Sequence, residues 1–315
     1  MIYNNLGNTN LKVSILCFGS LAISPLQTNL SLDEGADIIL SAMYKGVNFI
    51  DTAEFYQNYE YIHRALKRCN KELIIATKSY EYSYEGMKKS VERARREIGK
   101  DQIDIFMLHE QETKMTLRGH RDALEYLIDA KAKGLIKAIG VSTHTIEVVE
   151  AAADMDEIQV IHPLINFKGI GIKDGNLHEM EEAIKKAYKK GKGIYAMKCL
   201  GGGNLINNKE KAFSYILSFP FIHSVAVGMK SVDEVLANVS IFEGRPVDKD
   251  IEDRIINKKR KLLVEDWCEG CGECVKHCNY NALRLIDGRS VVDANLCILC
   301  GYCAGYCPEF CIKII

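Results

Sequence analysis

The 315-residue sequence predicts an α/β fold, a (β/α)8 TIM barrel carrying a small C-terminal α+β domain. Three observations carry this reading. Eight short apolar runs, each ending in a polar or small residue, alternate with amphipathic helical stretches along the first three quarters of the chain. Glycines stand where those helices should stop. Nine of the twelve cysteines crowd between Cys268 and Cys311, so the tail is a different kind of structure.

The runs come in order. "VSILCFGS" is followed by "VNFID" to Asp51, "LIIATK" to Lys78, "IDIFMLH" to His109 and "IKAIGVS" to Ser142. "IQVIH" to His162, "GIYAMK" to Lys198 and "SVAVGMK" to Lys230 complete the eight. Near-continuous apolar runs of this length suit strands buried on both faces. Helical stretches at Asp33–Lys45, Tyr84–Ile98, Arg121–Lys133 and Met180–Lys190 lie between them, with Gly46, Gly99, Gly134 and Gly191 placed as terminating glycines. Repeated strand-then-helix units argue for a barrel. A doubly wound sheet is the alternative, but no G-x-G-x-x-G follows the first strand.

After a last barrel helix at Val232–Val239, "EGRPVD" reads as a turn, with Asp248 or Asp250 as a helix cap. A further helix is expected to run past "NKKRK" (Asn257–Lys261), turning Ile251, Ile255, Leu262 and Leu263 toward the barrel. At 1.5 Å per residue it climbs ~20 Å and delivers Trp267 and Cys268 to the barrel's upper rim. The cations of "NKKRK" read as a solvated face beside a helix C-terminus. The expected organisation is a barrel over 1–243, a turn and helix over 244–263, and the cysteine-rich domain over 264–315.

The formal net charge is −1, which gives no electrostatic footprint for nucleic acid or an acidic membrane surface. No basic segment followed by a long apolar run opens the chain, and no stretch is long enough to span a bilayer. The expected compartment is the cytoplasm. Thiols stay reduced there, so clustered cysteines at two-residue spacing read as metal ligands rather than disulfides.

Two C-x2-C-x2-C-x3-C runs fill the tail: Cys268, Cys271, Cys274 and Cys278, then Cys297, Cys300, Cys303 and Cys307, with Pro308 after the last. They resemble the bacterial two-cluster ferredoxins, which implies a ferredoxin-like domain with two [4Fe–4S] clusters. In such runs the fourth cysteine ligates the other cluster. The resemblance therefore assigns Cys268, Cys271, Cys274 and Cys307 to one cluster, and Cys297, Cys300, Cys303 and Cys278 to the other. Zinc is the competing reading, but paired zinc ligands would leave the third cysteine of each triplet idle. Asn279, not Pro, follows Cys278. The tail also repeats with an offset of 29 residues, since Cys268 maps to Cys297, Gly272 to Gly301 and "LRLI" to "IKII". Cys311 then falls opposite Ala282, the place of a small buried residue rather than a ligand.

In a barrel, chemistry sits at strand C-terminal ends. Here those ends carry Asp51, Lys78 and His109, with Tyr56 just beyond Asp51. "DTAEFYQNYE", "ATK" and "LHE" resemble the aldo-keto reductase tetrad over a likeness covering roughly residues 2–240. "LGNTNLKVS" is similar to the hairpin that plugs the barrel bottom, and "IGVSTH" also fits. The resemblance implies a hydride taken from NADPH or NADH by a small-molecule carbonyl, or the reverse from an alcohol. Tyr56 would be the general acid, Lys78 would lower the Tyr56 pKa, Asp51 would hold Lys78, and His109 would orient the carbonyl oxygen. It further implies nicotinamide contacts from Ser142 and Asn166, pyrophosphate contacts from Lys198, Leu200 and Gly202, and adenosine-end contacts from Gly228, Lys230, Ser231, Glu234 and Asn238. Three departures stand out. Glu234 occupies a place that is often Arg, which keeps NADH open beside NADPH. The strand-six amide could be Gln159 by type or His162 by spacing. Met197 stands where a Tyr often stacks on nicotinamide. Cys17, Cys69 and Cys199 read as inert.

The combined expectation is an iron–sulfur oxidoreductase. Hydride transfer moves two electrons and each cluster moves one, so a redox partner protein or an intervening group is implied. The alternative is an electron carrier whose barrel is a scaffold; the intact tetrad argues against it.

Overall fold

The computed structural model describes residues 1–315. Eight parallel strands close into a barrel: β1 (Leu16–Gly19), β2 (Phe49–Asp51), β3 (Ile74–Ser79), β4 (Ile103–Leu108), β5 (Ile136–Thr143), β6 (Val160–Pro163), β7 (Gly193–Ala196) and β8 (Ser224–Gly228). Each pairs with its neighbours in chain order, and β8 closes on β1 with Val225 opposite Leu16. The fifth and sixth strands keep the same order, with Ser142 opposite His162.

The apolar runs divide between two layers because successive strand residues face opposite sides. Phe49, Ile105, Met107, Ala138, Val160 and Tyr195 point into the barrel, where Leu6, Leu11 and Val13 of the N-terminal hairpin join them. That hairpin pairs Tyr3–Asn5 with Lys12–Ser14 and closes the lower end. "VSILCFGS" is thus two elements: Val13 and Ser14 finish the hairpin, and the barrel strand starts at Leu16. The outward-facing residues meet the helices in a core of 57 buried side chains. The expected helices form, among them Leu32–Tyr44, Tyr84–Ile98, Arg121–Ala132 and Leu177–Lys189. Ser31 and Glu34 make a reciprocal capping box on the first of these. Gly46, Gly99, Gly134 and Gly191 all take positive φ just past helix ends.

The connecting helix differs from expectation. It spans only Lys249–Ile256, capped by Asp248, and ends at Asn257. Leu262 and Leu263 lie in a strand, Leu262–Val264, paired antiparallel with Ile312–Ile314. Tertiary pairing with the C-terminal strand outweighs local helix propensity there. Lys258–Lys261 consequently run outside any helix.

The tail realises its internal repeat. Gly272 (φ 79°) and Gly301 (φ 77°) each open a short helical turn, Glu273–Lys276 and Tyr302–Tyr306. Leu283–Ile286 and Arg289–Val292 form a hairpin. The tail rests on the barrel's C-terminal face. Asn204, just after β7, donates its Nδ2 to the Ile312 carbonyl at 3.0 Å, and Phe310 packs on Leu164 and Met197. No helix is long and apolar enough to cross a membrane.

Candidate active site

Four strand-end side chains converge on the upper barrel axis. Lys78 Nζ donates to Asp51 Oδ1 at 2.7 Å and to the Thr52 carbonyl at 2.8 Å. It also lies 5.2 Å from the centre of the Tyr56 ring. Tyr56 meets His109 edge to face at 5.9 Å. Burial opposes the charge on Asp51, but Lys78 and His162 outweigh it and hold the carboxyl below its usual range. Burial, then Lys78, pushes the His109 pKa down to about 3, so its imidazole is neutral at physiological pH. His109 Nδ1 is buried with no hydrogen-bond partner.

Tyr56 differs from expectation. Its pKa is raised well above the ordinary value by burial, with Asp51 and Glu110 adding to the effect. The Lys78 ammonium is directed at Asp51 and Thr52, and the net shift of Tyr56 is upward. The phenol therefore stays protonated at neutral pH.

Several participants escape notice in the sequence. Tyr195, on β7, donates to Asp51 Oδ1 at 2.8 Å and stacks on His162 at 3.8 Å. Its inward register on a short strand was the available signal. Tyr80 stacks on His109 at 4.1 Å and hydrogen-bonds Glu110. Burial works against the Glu110 charge, but His144, His109 and Tyr80 draw its pKa down to about 2. The open choice on β6 resolves to His162, which lines the cavity with its Nε2 at 3.6 Å from Asp51. Gln159 is spent on backbone groups of Ile139 and Glu157.

From Asp51 and Tyr56 a cavity of about 910 Å³ runs along the loop after β7 to the segment after β8. Met197, Lys198, Leu200 and Gly202 line its middle; Gly228, Lys230, Glu234 and Asn238 line its far end. Glu234 turns a carboxylate oxygen onto the Lys230 backbone N–H at 2.8 Å. Ser231 caps the Val232–Phe242 helix by accepting from the Glu234 N–H, and it lies outside the cavity lining. Ser142 Oγ accepts from the Glu110 N–H at 2.8 Å. Asn166 spends its amide on Lys168 and Ile170 of its own loop. Neither Ser142 nor Asn166 lines the cavity.

The "NKKRK" reading needs correction. Lys258 and Arg260 line the far end of the cavity rather than a remote solvated face, because the helix stops at Ile256. Neither they, Lys230 nor Lys261 has an acidic partner within 4 Å. The cavity's length, its mid-point glycine loop and these unpaired cations suit a dinucleotide.

In the tail, Cys274 feels the thiols of Cys307, Cys268 and Cys271, while Cys303 feels those of Cys300, Cys297 and Cys278 together with Cys274. All eight thiols of the two runs fall in these neighbourhoods, and an all-thiolate donor set suits iron–sulfur chemistry. Cys311 is buried with its sulfur 3.3 Å from that of Cys307. Cys17 and Cys199 are buried in the barrel; burial pushes the Cys199 thiol up to about 12 and the Cys17 thiol well up.

The pattern describing the aldo/keto reductase family matches residues 15–213, well over half of the chain. The chain belongs to the aldo/keto reductase family. The pattern of a 4Fe-4S binding domain matches residues 290–313 of this reductase, the second cysteine run. It is 24% identical over 277 residues to L-galactose dehydrogenase of Arabidopsis thaliana, covering 75% of this chain and 86% of that protein. It is 25% identical over 175 residues to methylglyoxal reductase DkgA of Yersinia pestis, covering 52% of this chain and 62% of that one. The holo form of an aldo-keto reductase from Bacillus halodurans superposes with a TM-score of 0.65 at 21% identity, covering 81% of this reductase and 95% of that chain. That likeness shows the shared barrel. The reductase is an oxidoreductase with an iron–sulfur binding domain at its C-terminal end.

Proposed function

We propose that the reductase interconverts a small-molecule carbonyl and its alcohol with NADPH, and that its tail holds two [4Fe–4S] clusters through the crossed cysteine sets. The observation that carries the first part is the convergence of Asp51, Tyr56, Lys78 and His109 at one end of a dinucleotide-sized cavity.

The nicotinamide supplies a hydride when bound. The chain's residues do the rest. Neutral His109 donates a hydrogen bond to the carbonyl oxygen and fixes its position. Tyr56, protonated at neutral pH, gives its hydroxyl proton to that oxygen as negative charge develops. A phenol is intrinsically a stronger acid than an aliphatic alcohol, which favours transfer in this direction. Lys78 lies close enough to steady the tyrosinate that remains, and Asp51, braced by Tyr195, holds Lys78 in place. Met197, which lines the cavity, packs against Phe310 of the tail and Leu164.

Lys230, Lys258 and Arg260 favour NADPH over NADH, because three unpaired cations suit the additional phosphate. The clusters, when bound, supply single electrons, and a partner protein that accepts or gives them belongs to this reading. Tyr56→Phe should lower carbonyl reduction about 10²- to 10⁴-fold while the nucleotide dissociation constant stays within about twofold of wild type. Wild-type turnover in this variant would remove Tyr56 as the proton donor.

A further inference from the structure

The second lysine at the middle of the cavity comes from the tail, not the barrel. Lys313 lies on the C-terminal strand, is buried, and lines the same cavity as Lys198 and Gly202. Its ammonium sits 3.2 Å from the centre of the Phe310 ring, and that of Lys198 sits 5.7 Å from the same centre. One Lys313 N–H goes to the Phe310 carbonyl. An ammonium has three donors, so two remain.

Neither lysine has a carboxylate within ion-pair distance. The acids that act on both lysines are Glu110 and Glu265. Glu110 is engaged by Tyr80 and lies 3.4 Å from His144, and Glu265 forms no side-chain ion pair. Burial pushes the pKa of both lysines down, that of Lys313 well down with Lys198 adding to it, and an anion seated between them would restore both charges.

The adjoining backbone is built for the same contact. Gly201, Gly202 and Gly203 have φ of 57°, 65° and 88°. A Cβ on Gly202 would run into the Lys313 side chain, and one on Gly203 into the Ile314 carbonyl. The triple glycine therefore admits the tail strand against the loop, and Asn204 pins the two together through Ile312.

We propose that the tail completes the nucleotide site, with Lys313 and Lys198 clamping the diphosphate of the nucleotide from opposite domains. The proposal rests on the nicotinamide reading of the cavity. It makes the nucleotide a bridge between barrel and iron–sulfur domain, so that the tail's fold sets how tightly the barrel holds its cofactor.

The test is the NADPH dissociation constant of the full chain, purified without oxygen with its iron, measured by calorimetry. Lys313→Gln should weaken NADPH about tenfold or more, the loss of one charge-assisted hydrogen bond, with iron content and visible spectrum unchanged. Lys313→Arg should recover most of the affinity. Inorganic pyrophosphate should compete with NADPH in wild type and lose that ability in Lys313→Gln. Should Lys313→Gln disturb the tail, Lys198→Gln, on the barrel side, should produce the same two losses. An unchanged dissociation constant overturns the proposal. So does a shifted cluster potential without a change in NADPH affinity, which would pair Lys313 with the cluster at Cys307 instead. If wild type binds pyrophosphate through Lys313 but no nicotinamide nucleotide, the anion clamp stands and the nicotinamide reading falls. If it binds neither, both fall.

Discussion

The barrel and the tail hold their functional side chains by different means. In the barrel, the tetrad stands on strand ends backed by a core of 57 buried residues plus the inner layer closed by the hairpin. In the tail, the largest apolar cluster has eight buried residues, and three of them are Cys274, Cys303 and Cys311. Apolar burial on that scale does not stabilise an independent fold. Cys274 and Cys303, two of the expected ligands, are part of that small core, which couples metal binding to folding there. The barrel's site is positioned by a scaffold that stands without it.

The sharpest way to break this contrast is to remove the iron. Chelation under reducing conditions should unfold residues beyond about Lys258 and leave the barrel's cooperative thermal transition in place. Limited proteolysis should then cut between Asn257 and Lys261, where the chain runs outside any helix. If the barrel melts with the tail, the two are one folding unit and the comparison fails. Within the tail, Cys278→Ala should cost the cluster held by Cys297, Cys300 and Cys303, about half the iron. Cys311→Ala should leave the iron in place although its sulfur lies beside Cys307.

Acid should expose the barrel's own weak point. His109, His144 and His162 are held neutral by burial, with pKa values pushed down to about 3, 3 and 4. Between those values and the unfolded value of about 6.5, the unfolded chain binds protons that the native chain refuses. Stability is therefore full above pH ~6.5 and falls as pH drops below it. At pH 5.5 each histidine contributes a loss of about 1.4 kcal/mol. The barrel transition should move down accordingly between pH 7.5 and 5.5 while cluster absorbance is followed on the same sample. A flat melting temperature would mean that these imidazoles reach water. The smallest effect lies at the cavity's far end. Glu234→Arg should shift nucleotide preference toward NADPH several-fold, read as the ratio of dissociation constants for NADPH and NADH. No change would mean that Lys230, Lys258 and Arg260 already satisfy the phosphate.

The two regions were also unequally legible in the sequence. The barrel's strands, the helix-terminating glycines and the position of all four tetrad residues follow from local pattern, because strand burial and strand ends are local properties. The two cysteine runs were legible from spacing, and the second falls inside the matched 4Fe-4S binding domain. What escaped was non-local. Tyr195 reaches Asp51 across the barrel from a residue 144 positions away. Leu262 and Leu263 continue a plausible helical face, yet pair as a strand with a partner fifty residues on. The cations of "NKKRK" looked solvated because the helix carrying them was expected to continue. Its early end turns Lys258 and Arg260 onto the cavity, while Lys259 and Lys261 stay exposed. The tail's place at the barrel's upper end was expected from the connecting segment; that Phe310 and Lys313 would be the residues meeting the loop after β7 was not.

One measurement bears on the central claim, that a barrel built on its own core carries a tail built on metal. Iron, acid-labile sulfide and zinc should be determined per chain on one sample purified without oxygen. The account predicts about eight iron and about eight sulfide with no stoichiometric zinc. Four iron, or zinc in place of iron, would contradict it.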